Sequence, residues 1–512
     1  MHTKIYSATV IGVDAHCVDV EVDLSLGLMN FYIVGLPDIA IKESRQRIQT
    51  ALKNCGIKLP ERKITVNLAP ADLKKEGTLF DLPIAIGILQ AAGIIRMPHA
   101  FLNETLFMGE LSLDGTIKPI KGALAIAADA QKLQKKRLVL PFQSAQEATL
   151  INDIEVISVS TITELVAYLR HELPLQPLPS LTITPEPWAS HLDFDQVKGQ
   201  EQAKRALAIA AAGGHNILFI GPPGSGKTML AKRLATILPP MHFEECIETT
   251  KIYSISGKLD HQKSVTQRPF RNPHHTISQA GLVGGGSFPK PGEISLAHNG
   301  ILFLDELTEF KKETLEVLRQ PLESKNVCIS RAAQAISYPA SFLLVAALNP
   351  CPCGFYGEKK KNCLCSPQHI NRYLQKLSGP LLDRIDLQIY VPAVDYETIT
   401  NPLAQGKSSA EIRTMVNQTR TAQLKRFKNN TTTNASMNGH DVEQFCKLTP
   451  EAEECIKKVF NQHHLSMRGY HKTLKVARTI ADFENAQQIE KHHLQEALLY
   501  RSIDKYLEKR PL

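Results

Sequence analysis

The segment Asn216–Leu230, NILFIGPPGSGKTML, most constrains the fold of this chain, because a short apolar strand runs into a glycine-rich turn and then a helix. Gly221, Gly226, Lys227 and Thr228 satisfy the phosphate-binding pattern G-x-x-x-x-G-K-[ST]. In such a loop, backbone N–H groups face the phosphates, the lysine reaches the β and γ groups, and the threonine hydroxyl can ligate Mg²⁺. The pattern predicts an ATP and Mg²⁺ site with the binding residues Gly221, Pro222, Pro223, Gly224, Ser225, Gly226, Lys227, Thr228 and Met229.

A second apolar run, Ile301–Leu304, ends in two acids, Asp305 and Glu306. Hydrolysis of a nucleotide needs one carboxylate near the metal and one near the attacking water. Paired with the phosphate loop, this run indicates a Walker B strand. We expect Asp305 to hold Mg²⁺ together with Thr228, and Glu306 to polarise the water.

The composition restricts the class of protein and the compartment. The chain has 512 residues, 43% hydrophobic and 21% charged, with a net charge of +8 at pH 7. This length suits two to four domains, and the moderate basic excess permits an acidic partner such as nucleic acid without requiring one. The N-terminus has no signal-peptide pattern, and the most apolar segment, 82–95, is short for a bilayer span. We therefore expect a cytoplasmic protein with no membrane partner.

Four of the ten cysteines are clustered, at Cys351, Cys353, Cys363 and Cys365. Two C-x-C pairs that flank a glycine-containing loop can converge as four thiolates on a structural Zn²⁺, although C-x-C is not the commonest zinc spacing. The alternative is a group of free structural thiols. The lysines at 359–361 are either a solvated charge run or a phosphate contact.

The first 170 residues alternate strands and helices, which predicts a mixed α/β domain. Within it, GLPDIAIKESRQRIQTAL (35–52) and KKEGTLFDLPIAIGIL (74–89) resemble the magnesium-chelatase-like ComM/YifB family, whose N-terminal domain has the fold of the Lon protease proteolytic domain. A Lon-type protease needs a serine activated by a lysine. Leu79 and Ile126 occupy the positions where we align that dyad, so we expect a non-proteolytic relative.

The resemblance covers nearly the whole chain and implies four parts. They are a Lon-like domain (1–170), a proline-rich linker (171–190), an AAA+ parallel-sheet domain with a pore insert and a Cys₄ loop (191–395), and a helical lid (396–512). It also implies that Asn349 is sensor 1, that Arg384 is an arginine finger acting on a neighbouring subunit, and that Arg478, or less favourably Arg468, is sensor 2. Taken alone, Asn349 is also compatible with the start of a turn before Pro350, and an arginine such as Arg384 is often paired with a neighbouring Asp.

The same resemblance implies a homohexameric, ATP-driven helicase that promotes DNA branch migration in recombination during natural transformation. Single-stranded and branched DNA are the expected partners, and proteins of the recombinase pathway are further candidates. The alternative is a chelatase-like motor that remodels a protein. The predicted DNA contacts lie on the insert and on a hairpin, at Arg268, Arg271, His274, His275, Lys290 and Arg331. Otherwise these residues are solvated or pair with acids of a neighbouring subunit.

Overall fold

The computed structural model describes most of the chain. The described residues are 2–28, 30–59, 61–75, 77–184, 188, 191–259, 264–286, 290–330, 335–358, 361–395, 397, 406–429, 431–463 and 466–501. The chain forms two compact units. The first comprises Met1–Thr184 with Cys246–Val265, and the second comprises Pro185–Glu245 with Thr266–Leu512. The segment Cys246–Val265 thus clusters with the first unit, although the sequence prediction included it in 191–395.

The first unit contains a seven-stranded mixed sheet. Its strands follow the order β3-β4-β2-β1-β5-β8-β9, and β6 pairs separately with β7. The strands are β1 (His2–Ile11), β2 (Asp14–Ser25), β3 (Phe31–Val34), β4 (Lys63–Ala69), β5 (Thr105–Phe107), β6 (Glu110–Leu111), β7 (Ile117–Lys118), β8 (Arg137–Pro141) and β9 (Glu155–Val159). The long strands β1 and β2 pair antiparallel and bury much of one face, as alternating side chains dictate.

Helices cover this sheet, and one of them is apolar almost all round. The helices are α1 (Ile39–Asn54), α2 (Asp81–Ala91), α3 (His99–Glu104), α4 (Ala123–Ala130), α5 (Phe142–Ala148) and α6 (Ile162–Leu169). Ten of the eleven residues of α2 are buried, which is typical of a core helix. Leu79 packs on the core and Ile126 is fully buried in it, so the two positions that we aligned with a proteolytic dyad hold apolar core residues.

The second unit contains a five-stranded parallel sheet in the order β11-β14-β17-β10-β18. Two short pairs, β12 with β13 and β15 with β16, lie outside it. The strands are β10 (Ile217–Ile220), β11 (Phe270–Arg271), β12 (Gly284–Gly285), β13 (Lys290–Pro291), β14 (Ile301–Leu304), β15 (Asn326–Ser330), β16 (Ala335–Pro339), β17 (Leu343–Leu348) and β18 (Leu387–Tyr390). The antiparallel pairing of β15 with β16 confirms the predicted hairpin.

Helices flank this sheet and form the C-terminal part of the unit. They are α7 (Glu201–Gly213), α8 (Lys227–Ile237), α9 (Phe243–Ser256), α10 (Gln279–Val283), α11 (Glu293–Leu296), α12 (Lys312–Glu316), α13 (Arg319–Ser324), α14 (Pro367–Leu374), α15 (Gly379–Leu382), α16 (Ser409–Phe427), α17 (Gly439–Phe445), α18 (Pro450–His463), α19 (Met467–Phe483) and α20 (Lys491–Leu499). Of these helices, α9 begins in the second unit, but its residues from Cys246 onward belong to the first unit. Among the described helices, none is long and apolar enough to cross a membrane.

Part of the insert that carries the predicted DNA contacts belongs to the five-stranded sheet. Phe270 and Arg271 form β11, the edge strand beside β14. The Phe270 ring lies 6.0 Å from Phe303 on β14 and 6.0 Å from Trp188. Apolar packing therefore holds this part of the insert against the core of the second unit.

Glu147 is a buried carboxyl group in the first unit. It accepts the Ala123 backbone N–H at 3.0 Å, and its side chain is also hydrogen-bonded by Ser254. Burial raises the pKa of Glu147 from 4.5 to about 7, because the ionised form is poorly solvated there. Below that pKa the folded protein keeps a neutral carboxyl group at this position.

We predict that Glu147 makes the folded state less stable as the pH rises from 4.5 to 7. In this window the unfolded chain releases the Glu147 proton while the folded chain retains it, which costs about 3 kcal/mol by pH 8. Glu147→Gln, neutral throughout, should therefore have the higher free energy of unfolding at pH 8 and a similar one at pH 4.5. Urea unfolding at several pH values measures this, with Glu172→Gln as the exposed control. An unchanged pH slope in Glu147→Gln would contradict the assignment.

Candidate functional site: a nucleotide site at the carboxyl edge of the parallel sheet

The phosphate loop connects β10 to α8 and depends on two glycines. A Cβ on Gly221 would lie 2.1 Å from the Val391 carbonyl oxygen, so no side chain fits there. Gly226 has φ +90°, a left-handed value that favours glycine, and it precedes the first residue of α8. The turn therefore delivers the N-terminus of α8, with its free N–H groups and positive dipole end, to the sheet edge.

Lys227 is the buried cation of this loop. Its Nζ donates to the carbonyl oxygens of Gly221 (2.8 Å) and Pro222 (2.9 Å) and to Asn349 Oδ1 (3.1 Å). Burial lowers the pKa of Lys227, although Asp305 and Glu306 act in the opposite direction. The ammonium thus has three protein acceptors that a phosphate can replace.

The acidic pair lies beside the loop, as predicted. Thr228 Oγ1 donates to Asp305 Oδ2 at 2.6 Å, and the Glu306 N–H donates to Asp305 Oδ1 at 2.9 Å. The Glu306 side chain is 58% exposed, and its Oε2 lies 3.9 Å from His275 Nδ1. Asp305 is thereby fixed next to Thr228, while Glu306 projects into solvent.

The residues at this edge fit ATP and Mg²⁺. The open glycine turn and helix N-terminus suit phosphates, and Thr228 with Asp305 offers the hard oxygen ligands that Mg²⁺ prefers. Ser225 lies on the loop and its carbonyl accepts from Gln200, whereas Met229 lies in the first turn of α8 and its carbonyl accepts from Arg233. Bound Mg²⁺ would neutralise phosphate charge, and Glu306 is placed to hold a water proton.

Asn349 directly follows β17, the strand between β10 and β14. Its contact with Lys227 places a polar amide between the phosphate loop and the Walker B strand. The structure thus brings Lys227, Thr228, Asp305, Glu306 and Asn349 together at one edge.

Arg384 lies at the other edge of the same sheet. Asn216 precedes β10 and donates from Nδ2 to the Arg384 carbonyl at 3.0 Å, whereas the phosphate loop follows β10. Four residues of strand separate the two positions, about 13 Å at 3.3 Å per residue. Arg384 Nη2 pairs with Glu323 Oε1 at 2.8 Å, and Arg468 contacts the same carboxylate. Both arginines lower the pKa of Glu323.

Arg478, the preferred candidate for sensor 2, is buried within the lid. Its Nε donates to Asp482 Oδ1 at 3.0 Å, and its Nη atoms donate to the carbonyls of Gln487 and Ala486. These contacts hold the guanidinium on Asp482 of the same helix and on the connection to α20, so the placement of Arg478 does not support the sensor 2 assignment. Arg468, the second choice, is half exposed beside Arg384.

The predicted DNA contacts differ in their surroundings. Arg268 pairs with Glu245 at 2.7 Å and Arg271 with Glu293 at 2.6 Å, both within the second unit. The sequence had offered acids of a neighbouring subunit as their alternative partners. His274 and Lys290 are exposed, and His274 Nδ1 bonds Thr276 Oγ1. Arg331, which the sequence predicts near the hairpin tip, lies outside the described residues.

The four clustered cysteines converge. Their Sγ atoms all lie within 4.8 Å of one another, and three of the separations are 3.3, 3.5 and 3.6 Å. Tetrahedral zinc with bonds of about 2.3 Å separates sulfurs by about 3.8 Å, so the donor set fits Zn²⁺. The Phe355 N–H lowers the pKa of Cys353 to about 6, whereas burial raises that of Cys351 to about 12.

A second group of metal-ligating types, Glu484, His492 and His493, was not noticed in the sequence. His493 Nδ1 accepts the Glu490 N–H at 2.9 Å, so Nε2 carries the proton of the neutral ring and lies 3.1 Å from Glu484. With both nitrogens used, His493 has no lone pair for a metal. This group is an acid–histidine hydrogen-bond cluster.

Sequence reasoning also missed a basic cavity at the Arg384 edge. Its volume is about 480 Å³, and its cationic lining residues are Arg268, Lys325, Arg384, Arg420, Arg468, Lys472 and Lys475. Burial raises the pKa of Asp386 in the same cavity, but Lys472 and His215 outweigh it, so this pKa lies well below its usual value. These residues are scattered from 268 to 475, so no local motif could have revealed the cavity.

These features together define an AAA+ ATPase. They are a parallel sheet with a phosphate loop, a Walker B pair, a polar residue after the strand between them, and a C-terminal helical lid. Family profiles agree along the chain. "Magnesium chelatase, subunit ChlI" matches residues 193–399, "Subunit ChlI of Mg-chelatase" matches 20–144, and "Magnesium chelatase, subunit ChlI C-terminal" matches 406–501.

Full-length relatives specify the family. Competence protein ComM of Haemophilus influenzae is 46% identical, covering 99% of this chain and 98% of the relative. YifB of Escherichia coli is 42% identical, covering 98% and 97%. Lon protease 2 of Bacillus subtilis is 30% identical over 27% of this chain and 26% of its own length. The chain belongs to the ComM/YifB family, which confirms the resemblance and the fold class that the sequence implied.

We predict different defects when Lys227 and Glu306 are changed. Lys227→Ala should abolish ATP binding, because the phosphates lose their buried cation. Glu306→Gln should retain ATP affinity but lose turnover, because the exposed carboxylate faces the water position. Calorimetric ATP binding and single-turnover hydrolysis measure the two effects, with the exposed Glu313→Gln as control. Equal losses of ATP affinity in both variants would contradict the Walker B assignment.

Proposed function

We propose that this protein is a ring-forming, ATP-driven motor that moves branched DNA during homologous recombination in natural transformation. The main observation in support of a ring is that Arg384 and Lys227 lie at opposite ends of β10. An arginine that acts on phosphate from the opposite sheet edge must act on another subunit's nucleotide. Head-to-tail contacts of this kind close into rings, of which a homohexamer is the expected one.

The arginine pair on Glu323 supports this arrangement. Arg384 and Arg468 share one carboxylate beside a cavity with seven basic residues. The single carboxylate of Glu323 holds both guanidinium groups close together, and an anion with more negative charge can compete for them. We propose that a neighbour's nucleotide is that anion, with Arg384 as the finger and Arg468 in the sensor 2 role first given to Arg478.

DNA as the substrate is supported by similarity and by charge. The 46% identical relative is named a competence protein, and the present chain is basic overall. Arg268 and Arg271 already pair with acids of their own unit. The remaining candidates for phosphate contacts are therefore Lys290, His274 and Arg331. His275, 3.9 Å from Glu306, connects the insert with the proposed catalytic carboxylate. Contacts of this kind grip any sequence, as a motor requires.

We further propose that the four cysteines hold a structural Zn²⁺. The short sulfur separations and the N–H donated by Tyr356 to Cys351 Sγ at 3.3 Å support it. Zinc bound by four thiolates has no open position, so it would stabilise the loop and take no part in hydrolysis.

We predict that Arg384→Ala binds ATP but hydrolyses it about 1,000-fold more slowly, by analogy with other arginine fingers. Activity should return on mixing with Lys227→Ala protein, because that subunit supplies Arg384 to an intact phosphate loop. Steady-state ATPase of the mixtures measures this. Arg319→Ala, which removes an arginine paired with Glu316 outside the cluster, is the control. Absence of recovery on mixing would exclude action between subunits.

We predict that single-stranded, duplex or forked DNA stimulates ATP hydrolysis, and that the protein moves a synthetic branched junction. The double variant Lys290→Ala, Arg331→Ala should bind DNA more weakly, with a slope of log affinity against log salt reduced by about one for each lost contact. Lys457→Ala, an exposed lid residue, is the control.

The same measurements separate the alternative function. A chelatase-like motor that remodels a protein should hydrolyse ATP at one rate with all three DNAs. Junction movement that survives in the double variant would remove Lys290 and Arg331 from the mechanism, while leaving the ATPase assignment in place.

A further inference from the structure

The cysteine loop packs directly against the phosphate loop. Gly354, between Cys353 and Tyr356, is buried and has φ +84°, and its N–H donates to the Cys351 carbonyl at 2.9 Å. A Cβ at Gly354 would lie 2.4 Å from Cδ and 2.7 Å from Cγ of Pro223. Only glycine fits this turn, because both the left-handed backbone and the proline ring exclude a side chain.

Both ends of the cysteine loop are also anchored at Asn349. Cys351 follows Asn349 by two residues. At the other end, Ser366 caps α14 directly after Cys365, and the Tyr373 hydroxyl on this helix is hydrogen-bonded to the Thr308 side chain and the Asn349 backbone. The loop therefore leaves and returns beside the residue whose Oδ1 accepts from Lys227.

The segment 221–223 at the start of the phosphate loop, here called the loop arm, is contacted from two sides. On the inner side, Lys227 Nζ binds the carbonyls of Gly221 and Pro222. On the outer side, the exposed residue Pro223 lies against Gly354. Two separate contacts, one with Lys227 and one with Gly354, therefore position this part of the phosphate loop.

We propose that the metal-bound cysteine loop is a brace that positions the phosphate loop for nucleotide binding, with Gly354 as the positioning residue. This rests on the zinc proposal. Four ligands on one metal fix the turn that carries Gly354, and the turn in turn fixes Pro223. Without metal, the cysteine loop loses its cross-link. The loop arm of the phosphate loop then moves, and nucleotide affinity falls.

The test uses ADP, because its binding needs the phosphate loop but neither the water-polarising carboxylate nor an arginine from a neighbour. Full-length protein is stripped of metal with a chelator, and its affinity for a fluorescent ADP analogue is measured before and after zinc is returned. A loop held in its binding conformation gives affinity by lowering the cost of ordering it, so we expect ADP binding to weaken about tenfold without metal and to recover with zinc. Hydrogen exchange of the phosphate-loop amides should accelerate in parallel.

Two variants separate the metal from the contact. Cys363→Ser with Cys365→Ser should lose zinc and weaken ADP binding, and added zinc should not restore it. Gly354→Ala should keep its zinc but weaken ADP binding, because the new methyl group displaces Pro223. The matched controls are Cys328→Ser, an exposed cysteine outside the cluster, and Gly379→Ala, where a Cβ meets no atom within 4 Å.

Three outcomes overturn the proposal. Absence of zinc from the purified protein would contradict the metal site. Unchanged ADP affinity after the chelator has removed the zinc would contradict the bracing role of the cysteine loop. Unchanged ADP affinity in folded Gly354→Ala protein would contradict the positioning role of the contact between Gly354 and Pro223. None of these measurements involves DNA or hydrolysis, so failure of the proposed motor function would be seen separately.

Discussion

The ammonium of Lys227 is the interaction on which the nucleotide edge depends. A buried cation needs hydrogen-bond acceptors, and this one has the Gly221 and Pro222 carbonyls and Asn349 Oδ1. These acceptors follow β10 and β17, neighbouring strands whose carboxyl ends meet at the same edge. Two neighbouring strands thus supply the acceptors of one buried cation, at the edge where the phosphate loop and the Walker B acids also lie.

Local patterns in the sequence predicted those parts of the site whose geometry depends only on residues close together in the chain. The glycines of the phosphate loop, the acids after β14 and the cysteine pairs each lie within a strand, turn or loop whose geometry follows from nearby residues. Ion pairs were not predictable in this way. Arg268 and Arg271 hold Glu245 and Glu293, which lie 23 and 22 residues away, and only the folded chain brings them together.

The lid arginines illustrate the same limit. Arg478 and Arg468 lie on one helix, α19, and both are basic residues in a helical stretch near the expected motif. Their roles diverge because α19 turns Arg478 toward Asp482 in the core and leaves Arg468 beside Glu323. Helical position and packing against neighbouring elements decide this difference, and the sequence pattern alone did not specify the packing.

The two edges of a parallel sheet are chemically different, and the proposed role of Arg384 between subunits depends on this asymmetry. Helix N-termini and loops gather at the carboxyl edge, where Lys227, Asp305 and Glu306 stand. The amino edge instead collects residues that precede the strands, including Arg384 and Asp386 before β18. A cation placed there cannot neutralise its own chain's phosphate across the length of a strand. It must therefore remain on an acid of its own subunit, as Arg384 does on Glu323, or meet the phosphate of another copy.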